Sequence, residues 1–145
     1  MSVIAFDHAA IPTNDPEGLL AFYRALGFHI VGEDAWRSGA MPVFAIAFGD
    51  NKINVHDPKL WQNPRFTLRG PTAQPGCGDF CFVWDGDIES ATDQIRQAGA
   101  EVIEGPVPRE GGRALGSVQG TSVYTRDPDG NLIEFIVYGS RSPAS

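Results

Sequence analysis

This sequence has little cysteine, no long hydrophobic run and no excess of basic residues. Only two of the 145 residues are cysteines, Cys77 and Cys81, which is too few for a disulfide framework. No apolar run approaches the roughly 18 residues of a membrane span, and the opening residues do not read as a secretory leader. The formal net charge of −7 argues against a nucleic-acid or anionic-membrane partner, because such partners require a basic face. We therefore expect a cytoplasmic protein with no nucleic-acid partner and no membrane partner, whereas the charge says little about a small-molecule substrate.

The composition otherwise matches that of an ordinary globular domain. Hydrophobic residues make up 42% of the chain and charged residues 20%, close to average usage. A chain of this length buries a sizeable core without disulfides or metals as staples. The small, polar tail Ser140–Ser145 is expected to fray.

Two halves of the chain repeat one order of elements, and the Gly/Pro-rich stretch 70–78 separates them. In each half an apolar strand precedes a capped helix start, and a glycine, Gly27 or Gly99, follows the helix end. The predicted strands are Val3–Ile11, Phe28–Gly32, Pro42–Phe48 and Lys52–Asp57 in the first half, and Asp79–Trp84, Glu101–Gly105, Thr121–Thr125 and Asn131–Tyr138 in the second.

This repeat predicts an α+β fold of two tandem βαβββ modules, about residues 3–62 and 78–139. One such module leaves a face of its sheet bare, whereas two can combine their sheets. We expect a cup-shaped, partly closed mixed β-sheet with the helices on the outside, so that residues 1–145 form a single domain. A generic α+β sandwich with accidental periodicity is the alternative.

Four polar side chains interrupt or end otherwise apolar strands at corresponding places in the repeat. His8 and Asp79 lie on the first strands of the two modules, and His56 and Glu134 lie on the last. Buried imidazoles and carboxylates are costly unless they are paired or bind a metal. The pattern predicts that His8, His56 and Glu134 gather around one divalent ion such as Zn, Ni, Mn or Fe. Asp79 is a fourth ligand, an acceptor for a ligand histidine N–H, or a cap at the strand start.

Each of these residues also has a purely structural interpretation. A lone strand histidine such as His8 is usually a satisfied surface or core residue. Glu134 can pair with an arginine, and His56 can simply end its strand. Arg109 and Arg113, in the loop predicted for residues 106–120, belong either to a solvated loop or to a lid that clamps an anionic or carbonyl-bearing substrate.

Several segments together resemble the vicinal oxygen chelate superfamily, which includes glyoxalase I, extradiol dioxygenases, and fosfomycin and bleomycin resistance proteins. The resemblance covers about residues 3–139. A further likeness, carried by 53–56 and 78–82, is to the branch of glyoxalase-domain-containing protein five and bacterial virulence-associated relatives. The segments that carry the superfamily resemblance are Phe6-Asp7-His8, Ala21-Phe22-Tyr23-Arg24-Ala25-Leu26-Gly27-Phe28, Asn51-Lys52-Ile53-Asn54-Val55-His56 and Arg126-Asp127-Pro128-Asp129-Gly130-Asn131-Leu132-Ile133-Glu134-Phe135.

The resemblance implies a metal-dependent lyase, isomerase or dioxygenase whose substrate chelates the ion through vicinal oxygens. Its ligand positions correspond to His8, His56, Asp79 and Glu134, with Glu134, or else Asp79, as the catalytic base. The residue types at 56 and 79 are exchanged relative to glyoxalase I, which leaves the reaction open. The resemblance also implies a homodimer. The alternative is a metal-free protein of the bleomycin-resistance type that sequesters a drug or metabolite.

Overall fold

The chain folds into two compact units. A computed structural model describes residues 1–139, so the tail expected to fray, Ser140–Ser145, lies outside the described residues. Unit 1 comprises Met1–Gly78 with Pro128–Gly130, and unit 2 comprises Asp79–Asp127 with the described residues from 131 to 139.

Unit 1 is an open four-stranded mixed sheet with a ten-residue helix and two shorter helices. The sheet order is β1-β4-β3-β2, with β1 parallel to β4 and the other neighbours antiparallel. Its elements are β1 (His8–Pro12), α1 (Pro16–Ala25), β2 (His29–Val31), α2 (Glu33–Arg37), β3 (Val43–Phe48), β4 (Asn51–His56) and α3 (Pro58–Trp61).

Unit 2 repeats this topology. The sheet order is β5-β8-β7-β6, again with the first pair parallel and the others antiparallel. The predicted α+β class and the βαβββ order of both halves are therefore confirmed, and the cup that would combine the two sheets stays a prediction. The elements are β5 (Asp79–Val83), α4 (Ile88–Gln97), β6 (Glu104–Glu110), a 3-10 turn (Arg113–Gly116), β7 (Gln119–Arg126) and β8 (Leu132–Tyr138).

The two long helices, α1 and α4, each begin directly after an aspartate that caps the helix N-terminus. The Asp15 carboxylate accepts a hydrogen bond from the Gly18 amide at 2.9 Å, and the Asp87 carboxylate accepts one from the Ser90 amide at 2.8 Å. Each bond satisfies an amide that has no partner within its helix. Among residues 1–139, no helix is long and apolar enough to cross a membrane.

Each sheet packs one face against its own long helix. In unit 1, the core contains Ile53 and Val55 of β4 and α1 residues such as Leu19 and Tyr23, and all four are buried. In unit 2, the equivalent core is formed by Ala91, Ile95, Val123, Ile133 and Phe135. Because strand side chains alternate between faces, the polar residues of the opposite parity lie on the face of each sheet turned away from its helix, which we call the open face.

The predicted first strand is wrong in its N-terminal half. The structure begins β1 at His8, and Val3 and Ile4 are exposed. The cause is the length of the partner strand, because β4 begins at Asn51, opposite the position just before His8. Only the Asn51 side chain reaches further, donating to the carbonyl of Asp7 at 3.0 Å.

The loop predicted for residues 106–120 is also wrong in part, because β6 continues to Glu110. Pro106 and Pro108 suggested a loop, since proline cannot donate to a strand ladder. Among residues 1–139, β6 is an edge strand that pairs only with β7, and edge strands tolerate proline. Arg109 is therefore a strand residue rather than a loop residue.

Candidate functional site

The open face of unit 1 carries both candidate histidines, at opposite ends of the β1–β4 pair. His8 is in register with Lys52, and His56 is in register with Pro12. The two histidines are separated by four residue positions along the strands. At about 3.3 Å per residue, their backbones lie roughly 13 Å apart. Asn54, in register with Ala10, lies between them on the same face. The structure therefore puts the two imidazoles on one surface without making them neighbours.

His8 is an exposed side chain at the start of β1. Its Nδ1 lies 2.6 Å from Oδ1 of Asp7. A carboxylate on one ring nitrogen fixes the orientation of an imidazole and turns the other nitrogen outward, as it does for metal-ligating histidines. Sequence reasoning did not assign Asp7 this role.

His56 is half-buried at the end of β4. Its ring meets that of Phe66 edge to face, with 5.3 Å between ring centroids. Burial lowers the pKa of His56, and the positive charge of Arg69 lowers it further. The imidazole is therefore neutral at neutral pH, which is the form that binds a metal ion.

The open face of unit 2 centres on Glu134. Glu134 is in register with Cys81 on one side and with Tyr124 on the other. The Ser122 hydroxyl donates to Oε2 of Glu134 at 2.5 Å. Burial raises the pKa of the Tyr124 hydroxyl, and the nearby Glu134 carboxylate raises it further. Arg109, which sequence analysis placed in a loop, donates from Nε to the Tyr124 hydroxyl at 2.9 Å. Glu134 is thus a held carboxylate with no arginine as a direct partner among the bonds described.

Asp79 opens β5 on the same face as Glu134. It is in register with Leu132, so it lies two positions along the sheet from Glu134. Burial raises the pKa of Cys81, and the charges of Glu134 and Asp79 raise it further. The structure therefore brings the two candidate carboxylates to one surface of unit 2, whereas Ser122 and Tyr124 are site residues that sequence reasoning missed. Alternation shows that these two residues share a face of β7, but only the register between β7 and β8 places that face beside Glu134.

A buried pair closes the turn before β8 and so positions Glu134. The Asp127 carboxylate accepts hydrogen bonds from the Asn131 amide at 3.0 Å and from its Nδ2 at 2.7 Å. In return, the Asp127 amide donates to the Asn131 carbonyl at 3.1 Å. Both residues are buried, so we call this arrangement the turn clasp.

The donor types fit a borderline divalent metal, although neither unit alone assembles a site. Within each unit, over the residues that the structure describes, no three His, Cys, Asp or Glu side chains form a group that would hold an ion. A neutral imidazole, a carboxylate-oriented imidazole and two carboxylates are nevertheless the ligands that Zn, Ni, Mn and Fe(II) accept. A metal site formed by His8, His56, Asp79 and Glu134 stays a prediction.

The contact between Cys81 and Glu134 predicts a thiol of unusually low reactivity. Burial raises the pKa of Cys81 to about 12, and the carboxylates of Glu134 and Asp79 contribute. The thiolate is the reactive form, so in a Cys77→Ser background iodoacetamide should react slowly at pH 8, with about one thiol in ten thousand ionised. Glu134→Gln should speed the reaction about tenfold for each unit by which the pKa falls.

The matched control for this measurement is Asp93→Asn, which removes an exposed carboxylate on α4 and should leave the alkylation rate unchanged. Equal rates for the Glu134→Gln protein and its parent would show that Glu134 does not act on the thiol.

Comparison with known proteins identifies the family. The model of the Glyoxalase/Bleomycin resistance protein/Dioxygenase superfamily matches residues 5–135. The chain therefore belongs to this superfamily.

The relatives place the chain in one branch of the superfamily. Glyoxalase domain-containing protein RDO1 of Mycosarcoma maydis is 36% identical over 138 residues, which cover 95% of this chain and 70% of that protein. Virulence protein STM3117 of Salmonella typhimurium is 37% identical over 139 residues, which cover 95% of this chain and 87% of that protein. The structure of an integron cassette protein from the mobile metagenome of V. cholerae matches with a TM-score of 0.78 and 33% identity, covering 96% of this chain and 98% of that one.

Two more distant structures share the fold alone. One is lactoylglutathione lyase from Agrobacterium tumefaciens, with 20% identity, a TM-score of 0.67, and coverage of 94% of this chain and 95% of that one. The other is TnmS3, an antibiotic binding protein from Streptomyces sp. CB03234, with 20% identity, a TM-score of 0.66, and coverage of 96% of this chain and 99% of that one.

Proposed function

We propose that this protein is a divalent-metal-dependent enzyme of the glyoxalase or dioxygenase type, acting on a small substrate with two vicinal oxygens. His8, Asp79 and Glu134 would hold the ion, which is Zn, Ni, Mn or Fe(II). His56, roughly 13 Å from His8 along the strands, is the least well placed of the four candidate ligands. When bound, the ion acts as a Lewis acid and supplies charge stabilisation to an oxygen of the substrate. The reaction is a lyase, isomerase or dioxygenase step, and the protein works as a cytoplasmic homodimer.

The single observation that carries this proposal is the held carboxylate of Glu134. It lies on an open sheet face, where the Ser122 hydroxyl donates to it and where, among the bonds described, no arginine is its direct partner. A carboxylate oriented in this way accepts a proton from a carbon or oxygen atom placed above the sheet. Ser122 fixes the direction of the carboxylate, and Asp79 is the second candidate base.

The histidines of unit 1 have the complementary role of neutral nitrogen donors. His56 is kept unprotonated by burial and by Arg69. His8 is oriented by Asp7. The superfamily membership adds support, because the matched segment, residues 5–135, includes all four candidate ligands.

Thermal unfolding with added metals tests the proposal. An ion that binds the folded state at one hundred times its dissociation constant stabilises that state by about 2.7 kcal/mol. For a chain of this size the midpoint should rise on the order of 5 to 10 °C. We expect one or more of Ni, Zn, Mn and Fe(II) to give this rise after chelator treatment, with Mg as the control ion. No rise with any of the four would contradict a metal-dependent function.

A metal-free binding protein is the second candidate, and one observation favours it. The roughly 13 Å between the backbones of His8 and His56 suits two separate contacts to a larger ligand better than two ligands of one ion. This candidate predicts no response to metals together with binding of a drug or metabolite without turnover, as the structural neighbour TnmS3 is an antibiotic binding protein.

A further inference from the structure

Arg69 of unit 1 is a cation without a counterion. The chain carries 18 acidic residues against 11 lysines and arginines, so carboxylates are plentiful. Nevertheless, none of them pairs with Arg69 anywhere in residues 1–139, where the four ion pairs involve other residues. The charge of Arg69 acts instead on the neutral ring of His56.

The guanidinium of Arg69 is also left with unused donors. Its Nη2 donates to the carbonyl of Ala73. Its Nε is sealed from solvent and, among the described residues, has no acceptor. Its Nη1 has no acceptor in that part of the chain either, but it is not sealed. An unpaired, sealed N–H is costly, and native structures seldom keep one without a reason.

Aromatic rings hold this guanidinium in place and give the site an apolar wall. Arg69 lies over the ring of Trp61, with its central carbon 5.5 Å from the ring centroid. Trp61 is itself fixed, because its Nε1 donates to the Thr13 carbonyl at 2.9 Å. Phe66 covers the ring of His56. A planar cation stacked on a fixed indole is preorganised, so it loses little freedom when it binds an anion.

We propose that Arg69, with Trp61, Phe66 and His56 around it, is a binding site for the carboxylate group of a small organic acid with an apolar or aromatic body. The carboxylate meets the accessible Nη1 and supplies the missing counterion. Arginine is suited to this role because a hydrogen bond from a charged donor such as Nη1 to a carboxylate is about twice as strong as one between neutral groups. The site lies wholly within unit 1 and does not depend on a metal ion.

Benzoate and its neutral analogue benzamide are suitable probes, because they differ in charge and share an aromatic ring. In the full-length protein kept in chelator, NMR titration follows the side-chain N–H signals of Arg69 and Trp61. We expect benzoate to shift both signals in a saturable way and benzamide to bind about tenfold more weakly or less, since a charge-assisted hydrogen bond is lost.

Arg69→Met should weaken benzoate binding about tenfold or more. Arg65→Met should not change it, because Arg65 is an exposed arginine of the same segment. Arg69→Lys keeps the charge but not the planar fork, so an intermediate loss is expected. If Arg69→Met does not fold, comparison of Arg69→Lys with Arg65→Lys decides the matter.

Equal affinity for benzoate and benzamide, unchanged benzoate binding in both Arg69 variants, or no saturable shift in the wild type would overturn the carboxylate site. Because chelator is present throughout, a failure of metal binding in the thermal experiment leaves this result untouched, and failure here leaves the metal proposal standing.

Discussion

Replacing Glu134 by alanine is expected to abolish stoichiometric metal binding while the fold is retained. Glu134 lies on the open face of unit 2 and packs against no helix, so its removal leaves no cavity in the core. Loss of a direct ligand should weaken metal affinity by more than the roughly 10- to 100-fold that removal of an outer hydrogen-bond partner costs. Metal content after gel filtration, by mass spectrometry, gives the readout.

Two comparison variants make this measurement selective. Ser122→Ala removes only the hydroxyl that donates to Glu134. This variant should therefore weaken metal affinity by roughly 10- to 100-fold. Glu110→Gln alters an exposed carboxylate at the end of β6 and should leave the metal content unchanged. His8→Ala should resemble Glu134→Ala. Full metal content in both Glu134→Ala and His8→Ala would eliminate the metal-dependent function and favour the metal-free binding protein.

Replacing Phe135 by alanine is expected to destabilise unit 2 by about 3–5 kcal/mol, the usual cost of deleting a buried phenylalanine. Phe135 is 2% exposed, and its ring centroid lies 5.3 Å from that of Trp84 and 6.1 Å from that of Phe82. The loss therefore includes both apolar burial and favourable ring packing. Urea unfolding followed by Trp fluorescence measures it.

The control for this prediction is Val83→Ala on the neighbouring strand. Val83 is 57% exposed and lies on the open face, so its truncation should change stability by no more than about 0.5 kcal/mol. A loss below about 1 kcal/mol for Phe135→Ala would mean that the core of unit 2 is not packed as the structure has it.

The parts of the fold that were predicted correctly are those set by local chemistry. Asp15 and Gly27 bound α1 because a capping carboxylate and a left-handed glycine act within a few residues of themselves. Residues 3–7 and 106–110 were assigned wrongly because strand limits depend on the partner strand. β4 is too short to pair with residues before His8, and β7 is long enough to pair with the prolines of β6.

In the candidate site, too, the features set within one strand could be predicted, and the features set by other strands could not. Alternation along single strands accounts for the common face of Asp79 and Cys81 and for that of Asn54 and His56. The neighbours of Glu134, Ser122 and Tyr124, come from another strand, so only the register between β7 and β8 reveals them. Arg69 could not be found from sequence at all, because its lack of a partner is a property of packing.

The turn clasp has a consequence for the position of Glu134. Asp127 and Asn131 fix where β8 leaves the turn, and Glu134 follows three residues later. Side chains on a strand alternate, so adding or deleting one residue between Asn131 and Glu134 would rotate the carboxylate into the apolar layer beneath α4. The number of residues in this short segment is therefore as much a requirement of the chemistry as the presence of an acidic side chain.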